Sequence, residues 1–363
     1  MKICFLHAGF SFHGGIERVL SIIIRSLCQN ENVNIYCLSL NKAEPLDFYL
    51  LPSDLKFDYL FEDSVNMKKA FLKDGIGKLV KYLKTNQIDV VVACGVIYFP
   101  LACIGGRLAG AKVISWEHTN PACTCEFAFE GISRNVGARF SDMNVLISQE
   151  AKEYYESHFR KEKNIVIYNP ADNNLFGTES SYQTDSKKLI SVGRLTYQKN
   201  FQLLIEIAEK LLAQHNDWVW HIYGDGEQRE ELETLILEKG LLGRVVLMGN
   251  VADLYDRYPE YAAIVMTSRY EGFPMVLIEA ASKGLPMVSF DISTGPREII
   301  DDNVNGFLIP SGDVNGMLEK LGILMTDGDM RSRFSTEAKR TVNSFRVDNI
   351  VDQWCNLFDE LIE

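Results

Sequence analysis

The sequence predicts an α/β protein of two doubly wound domains, on three observations. Short apolar runs such as KICFLH, IDVVVAC and KLISV alternate with segments whose apolar residues recur at helical spacing, as in parallel strands buried on both faces and joined by crossover helices. Several runs end in a glycine-bearing turn that leads straight into a helical segment, at Gly14-Gly15, Gly193, Gly224 and Gly272. The polar stretch Asn174–Lys188 has linker composition, and 363 residues suffice for two domains of ordinary size. The expected division is residues 1–175, residues 176–345 and a terminal helix over 346–363.

Composition narrows the class. Apolar content of 47% and charged content of 24% are those of a soluble globular protein. No apolar run reaches the roughly 18 residues of a spanning helix, and MKICFLHAGF lacks the length and cleavage site of a leader, so a cytoplasmic location is expected. Of eight cysteines most lie in apolar segments and read as small buried hydrophobes. Cys123-x-Cys125 has no second pair at zinc-ligand spacing. Residues 1–170 hold 19 Lys and Arg against 18 Asp and Glu, so the net charge of −12 falls on the rest of the chain. That balance argues against nucleic acid as partner, while the near-neutral first half leaves room for a local basic face.

In the first half, Lys2–Gly9 is a buried strand, followed by a loop ending in Gly14-Gly15 and the helix IERVLSIIIRSLCQ. Taken alone the glycine pair is an ordinary strand-to-helix turn. Asn32–Leu40 and Ile88–Gly95 are the next strands. Between them MKKAFLKDGIGKLVKYLK (Met67–Lys84) sets Lys68, Lys69, Lys73, Lys78, Lys81 and Lys84 among apolar residues, interrupted by Gly75 and Gly77. Such a segment is either a helix with a solvated lysine face or one that lies on an anionic bilayer. Ala111–Asn120 is a strand running into Glu117-His118, and a lone histidine there serves either a core or a site. SDMNVLIS, a helix over Gln149–Phe159 and NIVIYNPAD complete this half, with His7 and His13 as weaker candidates.

The second half carries more chemistry. In Lys188–Leu211 an apolar strand ends at Gly193, and Arg194 and Lys199 flank the loop before an amphipathic helix. Two cations five residues apart can clamp a diphosphate, Arg through its bidentate fork and Lys as a point charge, and neutralise the charge that builds as a nucleoside diphosphate departs. Gly224-Asp225-Gly226 follows the next strand, but Arg229 stands where a dinucleotide fingerprint needs its third glycine. Val245–Tyr258 supplies a further strand and loop. Met266–Pro310 is half of a strand-helix-strand crossover that breaks at Tyr270-Glu271-Gly272-Phe273 and restarts as a helix with Pro274 in first position. The N–H groups of Gly272, Phe273 and Met275 at that turn suit an anion, whereas Pro274 has none to give. Glu279 follows Glu271 by just over two helical turns. Asp327-Gly328-Asp329 lies in a turn between terminal helices and reads as a loop, not a metal site.

EGFPMVLIEA resembles the E-x7-E motif of the retaining nucleotide-sugar transferases of glycosyltransferase family 4. VGRLTYQKN is similar to the G-R-L-x-x-x-K-N element of that family, and the YGDG turn, GPREII and NGFLIP to its other pieces. The resemblance covers most of the chain and is strongest over residues 188–310. It implies the GT-B fold, two Rossmann-like domains facing an interdomain cleft, with acceptor on the first, donor mainly on the second, and the terminal helix Val347–Ile362 crossing back to the first. It also implies roles. Glu271 stands at the donor sugar and Glu279 accepts from the ribose hydroxyls. Arg194 and Lys199 hold the diphosphate. Gly14 and Gly15 approach the phosphates, and His118 contacts the sugar near the reaction centre. Gly249 and Asn250 border the nucleobase, and the amides of Gly272, Phe273 and Met275 hold the pyrophosphate.

The function so implied is transfer, with retention, of a hexose or N-acetylhexosamine from a UDP-linked sugar, a galactose-type one by the GPREII loop, to a saccharide. A lipid-linked oligosaccharide of capsule, O-antigen or exopolysaccharide synthesis is the expected acceptor, reached by an enzyme peripheral on the inner face of the membrane through Lys68–Lys84. No metal is expected. A GT-B sugar-nucleotide epimerase, which would need no acceptor, and a non-catalytic sugar-nucleotide-binding subunit stay open. A nicotinamide-dependent dehydrogenase is disfavoured by the broken glycine fingerprint.

Overall fold

The computed structural model describes residues 1–11, 14–42, 49–67, 70, 74–122, 128–159, 163–176, 182–251 and 254–363. They divide into two compact units, Met1–Pro170 with Val347–Glu363, and Ala171–Arg346.

In the first unit β1 (Lys2–His7), β2 (Asn34–Asn41), β3 (Lys56–Phe61), β4 (Val90–Cys94), β5 (Lys112–Glu117), β6 (Met143–Leu146) and β7 (Asn164–Val166) pair in parallel. Among the described residues the sheet order is β3-β2-β1-β4-β5-β6-β7. The central strands β1 and β4 are buried almost end to end, which is why they are legible as unbroken apolar runs. β3 was not anticipated. It is an edge strand whose Lys56, Asp58 and Tyr59 face solvent, and it lacks such a run.

Among the described residues this unit holds the helices α1 (Gly15–Leu27), α2 (Gly75–Asn86), α3 (Phe99–Ala109), α4 (Ala128–Phe140) and α5 (Gln149–His158), besides the terminal helix given below. Gly75 and Gly77 stand in the first turn of α2 rather than interrupting a longer helix, with Asp74 before it in the left-handed region at φ 64°. α3 lies between α2 and α4. A Cβ on Gly105 would come within 2.6 Å of Leu79 Cδ2, and one on Gly106 within 2.6 Å of Val113 Cγ2, so the two glycines let α3 close on both α2 and the sheet.

The second unit alternates β8 (Lys188–Val192), α6 (Phe201–Gln214), β9 (Val219–Tyr223), α7 (Arg229–Glu238), β10 (Val245–Gly249), α8 (Leu254–Arg257) and β11 (Ala263–Met266). It continues through α9 (Met275–Ser282), β12 (Met287–Asp291), α10 (Pro296–Ile299), β13 (Gly306–Pro310), α11 (Val314–Thr326) and α12 (Gly328–Thr341). Its parallel sheet has the order β10-β9-β8-β11-β12-β13 among the described residues. Asp327 caps α12 by accepting from the Met330 N–H at 2.8 Å, so Asp327-Gly328-Asp329 is a helix start. The chain then returns to the first unit as α13 (Val347–Ile362), which packs on α1. Its Trp354 meets Trp116 edge-on at 4.9 Å between ring centroids and Phe5 at 6.5 Å.

Each sheet reverses its strand order once, between β1 and β4 and between β8 and β11. Open parallel sheets bind ligands outside the carboxyl ends of their strands at such a point. Among the described residues no helix is long and apolar enough to cross a membrane.

Candidate functional site

At the reversal point of the second unit two loops leave neighbouring strands in the same direction, Gly193–Asn200 after β8 and Thr267–Pro274 after β11. The stem of Lys199 lies across Gly193, where a Cβ would come within 2.9 Å of Lys199 Cε. Lys199 Nζ thereby reaches Glu271 Oε1 at 2.6 Å, with both side chains largely buried. Gln198 Nε2 donates to Glu271 Oε2 at 3.3 Å and to the Tyr270 carbonyl at 3.0 Å, and Thr294 Oγ1 donates to the Glu271 carbonyl. Arg269 ties the loops together. Its N–H donates to the Gln198 carbonyl at 2.8 Å and its Nη2 to Asn200 Oδ1 at 2.7 Å, while its guanidinium lies 4.3 Å over the Tyr197 ring. Arg194 is exposed, and its side chain has no hydrogen bond or ion pair among the described residues.

The base of this loop is clasped by backbone alone. Gly193 N–H donates to the Tyr223 carbonyl at 2.9 Å, Leu195 N–H to the Asp225 carbonyl at 3.0 Å and Gln228 N–H to the Leu195 carbonyl at 3.0 Å. Gly224, at φ 128°, lies so close that a Cβ there would stand 1.9 Å from the Gly193 oxygen. The YGDG turn is thus the support of the Arg194 loop. Gly224 N–H also donates to the Gly249 carbonyl at 2.9 Å, which brings Gly249 (φ 72°) and the exposed Asn250 beside the same edge.

The turn after β11 corrects two expectations. Pro274 stands before α9 as its N-cap, with ψ 86°, and the helix begins at Met275. The Met275 N–H donates back to the Phe273 carbonyl at 3.0 Å, so that amide is already engaged. The Gly272 N–H has no partner among the described residues and is the amide left for an anion. Gly295, at φ 97°, packs on this turn, where a Cβ would come within 2.5 Å of Pro274 Cδ. Glu279 is buried on α9 and accepts from the Tyr258 hydroxyl at 3.1 Å. Arg297 of the GPRE segment pairs with Asp291, its Nε 3.0 Å from Oδ1.

Gly14, Gly15 and His118 lie on the first unit. Gly15 opens α1 with nothing within 4 Å of a Cβ built on it, but the Gly14 N–H is engaged by the Tyr49 hydroxyl at 3.2 Å. His118 follows β5, is buried against the Trp116 ring at 4.1 Å, and its Nε2 has no hydrogen-bond partner among the described residues. Burial pushes its imidazole down to about 3, so it is neutral at pH 7. His7, at the end of β1, is likewise lowered to about 3 by burial and accepts from the Gly9 N–H at 2.9 Å. Glu117 is structural: Arg134 Nε donates to its Oε2 at 2.8 Å and the Tyr155 hydroxyl at 3.0 Å, all three side chains being buried. His13, Lys68, Lys69, Lys73, Cys123 and Cys125 fall outside the described residues. Lys78 Nζ is turned onto the Leu60 carbonyl at 2.9 Å and over the Phe61 ring at 4.1 Å, and Lys78, Lys81 and Lys84 are all exposed on α2.

Three residues that hold this site were not singled out in the sequence. Gln198 had a usable signal, its place beside Lys199. Arg269 and Tyr258 had none, because their partners are distant in sequence. Among the described residues no group of three or more His, Cys, Asp or Glu side chains is placed to hold a metal ion.

Residues 178–341 match the family model described as Glycosyl transferases group 1. A Campylobacter jejuni protein named GalNAc-alpha-(1->4)-GalNAc-alpha-(1->3)-diNAcBac-PP-undecaprenol alpha-1,4-N-acetyl-D-galactosaminyltransferase is 28% identical over 377 residues, covering 99% of each chain. The lipopolysaccharide outer core galactosyltransferase WaaB superposes with a TM-score of 0.79 at 23% identity, over 99% of this chain and 100% of that one. HepE of Anabaena, solved with UDP, does so with a TM-score of 0.83 at 21% identity over the same shares. The chain is a glycosyltransferase of GT-B fold, and its residues 178–341 match the group 1 family model.

Proposed function

We propose that this glycosyltransferase moves a hexose or N-acetylhexosamine from a UDP-linked sugar to a hydroxyl of a lipid-linked saccharide in cell-surface polysaccharide synthesis, with retention of configuration. The observation that carries the reading is the Lys199–Glu271 pair at the strand-order reversal of the second unit, with the uncommitted guanidinium of Arg194 on the same loop. A cation that already holds a carboxylate can bind a diphosphate while keeping that carboxylate beside the sugar. UDP as the donor base is supported by its presence in HepE. The lipid-linked acceptor is supported by the name of the Campylobacter relative. A galactose-type donor rests on the GPREII-like loop.

In this reading the bond between the anomeric carbon and the diphosphate breaks as one to the acceptor oxygen forms on the same face, and the acceptor proton passes to the leaving diphosphate. Arg194, Lys199 and the Gly272 amide receive the growing negative charge, with the Phe273 amide beside them, and no divalent ion is required. Glu271 orients the sugar. Glu279 accepts from the ribose hydroxyls, its buried carboxylate fixed by Tyr258. Gly249 and Asn250 border the base. On the first unit Gly15 approaches phosphate, and His118, neutral at pH 7, offers a hydrogen bond to a sugar hydroxyl rather than a proton.

The test is a thermal-shift and donor-hydrolysis screen against UDP-, GDP- and ADP-sugars with and without EDTA. One UDP-sugar should stabilise the protein and release UDP slowly, insensitive to EDTA, and Arg194→Ala should abolish that release. Absence of any shift with all donors would overturn the reading. Conversion of the donor to its epimer in the absence of acceptor would replace it with an epimerase.

A further inference from the structure

We propose, on the glycosyltransferase reading above, that Glu17 binds the acceptor, its carboxylate accepting hydrogen bonds from two neighbouring hydroxyls of one terminal pyranose. Glu17 stands in the first turn of α1, which leaves the carboxyl end of β1, and its side chain is 5% exposed. Among the described residues its carboxyl makes no ion pair, and the donor that faces it is its own N–H. An acid at this position of a helix commonly reaches back to the N-cap N–H or answers the helix dipole. Here the N-cap is Gly14, and its N–H is already taken by the Tyr49 hydroxyl at 3.2 Å. The dipole does not call for burial, since a solvated carboxylate would answer it equally well. A buried carboxylate without a partner is costly, and such groups are kept where something meets them.

Glu17 lies at the strand-order reversal of the first sheet, where open parallel sheets take their ligands. Tyr98 belongs to the short turn Val96–Tyr98 that follows β4 on the other side of that reversal. Its ring is in the core with Phe99 and Leu101, and its hydroxyl has no hydrogen-bond partner among the described residues. Burial raises the Tyr98 hydroxyl, the Cys94 thiol at the end of β4 and the Tyr49 hydroxyl, and the Glu17 charge raises each of them further. The carboxylate is thus close to the β4 end and to Tyr49 at once. Charge then selects the ligand. A carboxylate with no counter-ion repels phosphate, so the donor diphosphate does not suit it, whereas sugar hydroxyls are neutral donors. Two of them on adjacent carbons can meet the two carboxylate oxygens, and the Tyr98 hydroxyl can donate to a third oxygen of the same ring.

The test uses the UDP-sugar that stabilises the parent and, as acceptors, octyl glycosides of galactose, glucose, N-acetylgalactosamine and N-acetylglucosamine, each intact and in its single-deoxy forms. The parent should glycosylate at least one intact glycoside. Glu17→Gln should raise the KM for that acceptor roughly tenfold or more with kcat within about threefold, and Tyr98→Phe should raise it roughly two- to tenfold. Both variants should keep the melting temperature of the parent and its shift with the UDP-sugar. At least one deoxy form that is poor for the parent should be no poorer than the intact glycoside for Glu17→Gln, because hydroxyl and carboxylate act as a pair. The inference is overturned if the parent glycosylates none of the four, or if every deoxy form loses as much with the variant as with the parent. A Glu17→Gln protein that loses its shift with the UDP-sugar would place Glu17 at the donor, and one that melts well below the parent would make it structural; either overturns the inference. A parent that no nucleotide sugar stabilises fails earlier, at the donor reading itself, and takes this inference with it.

Discussion

Lys199 and Glu271 meet at 2.6 Å from loops 72 residues apart in sequence, and each owes its position to a neighbouring strand end. Glu271→Gln leaves the largely buried ammonium facing a neutral amide. Unfolding free energy should fall by about 1–3 kcal/mol. Donor hydrolysis should slow by roughly a hundredfold or more. Urea denaturation and single-turnover hydrolysis check the two effects, and the double variant with Lys199→Ala should lose less stability than the sum of the singles.

Gly224→Ala should be among the most damaging substitutions in the second unit. The new methyl meets the Gly193 oxygen at a backbone held on both sides, and φ 128° is strained for any residue with a Cβ. A loss of about 3 kcal/mol or more is expected. Asp225→Asn next to it should cost less than about 1 kcal/mol, since that residue supports the loop through its carbonyl.

The buried histidines predict an acid-labile first unit. Both imidazoles titrate near 3 when folded against about 6.5 when unfolded, so between those values the unfolded chain binds the extra protons. Stability is complete above pH 6.5 and is lost as pH falls, by up to about 1.4 kcal/mol per pH unit for each histidine. Denaturant unfolding from pH 7 to 4 should show this slope. His118→Asn should remove close to one proton from it, and unchanged slopes in both His118→Asn and His7→Asn would contradict the assignment.

Arg134→Met leaves Glu117 buried with its hydroxyl donors and no counter-charge. A destabilisation of about 3 kcal/mol is expected, and adding Glu117→Gln should restore part of it. The melting temperatures of the two variants decide the point.

Both sheets were largely legible because doubly buried parallel strands are apolar throughout. β1, β4, β8 and β11 stand where their runs put them, whereas β3, half exposed at an edge, carries no comparable run. The candidate residues were legible as residue types, in that Arg194, Lys199, Glu271 and Glu279 have the right charges on the right loops. Their partnerships were not. Nothing in TYQKN says that Lys199 will fold back over Gly193 onto Glu271, because that contact is set by the register of β8 against β11. Pro274 misled for a local reason: the Phe273 carbonyl captures the Met275 N–H and holds the proline outside the helix.

Trp354 gives the protein a timetable. Phe5 and Trp116 are made early, yet the ring that covers them is supplied by α13, after the whole of Ala171–Arg346 has been translated. At ribosomal rates that interval is about 9 to 35 seconds. Through it the nascent first half waits with its core unclosed while the second unit, contiguous in the chain, is free to fold first.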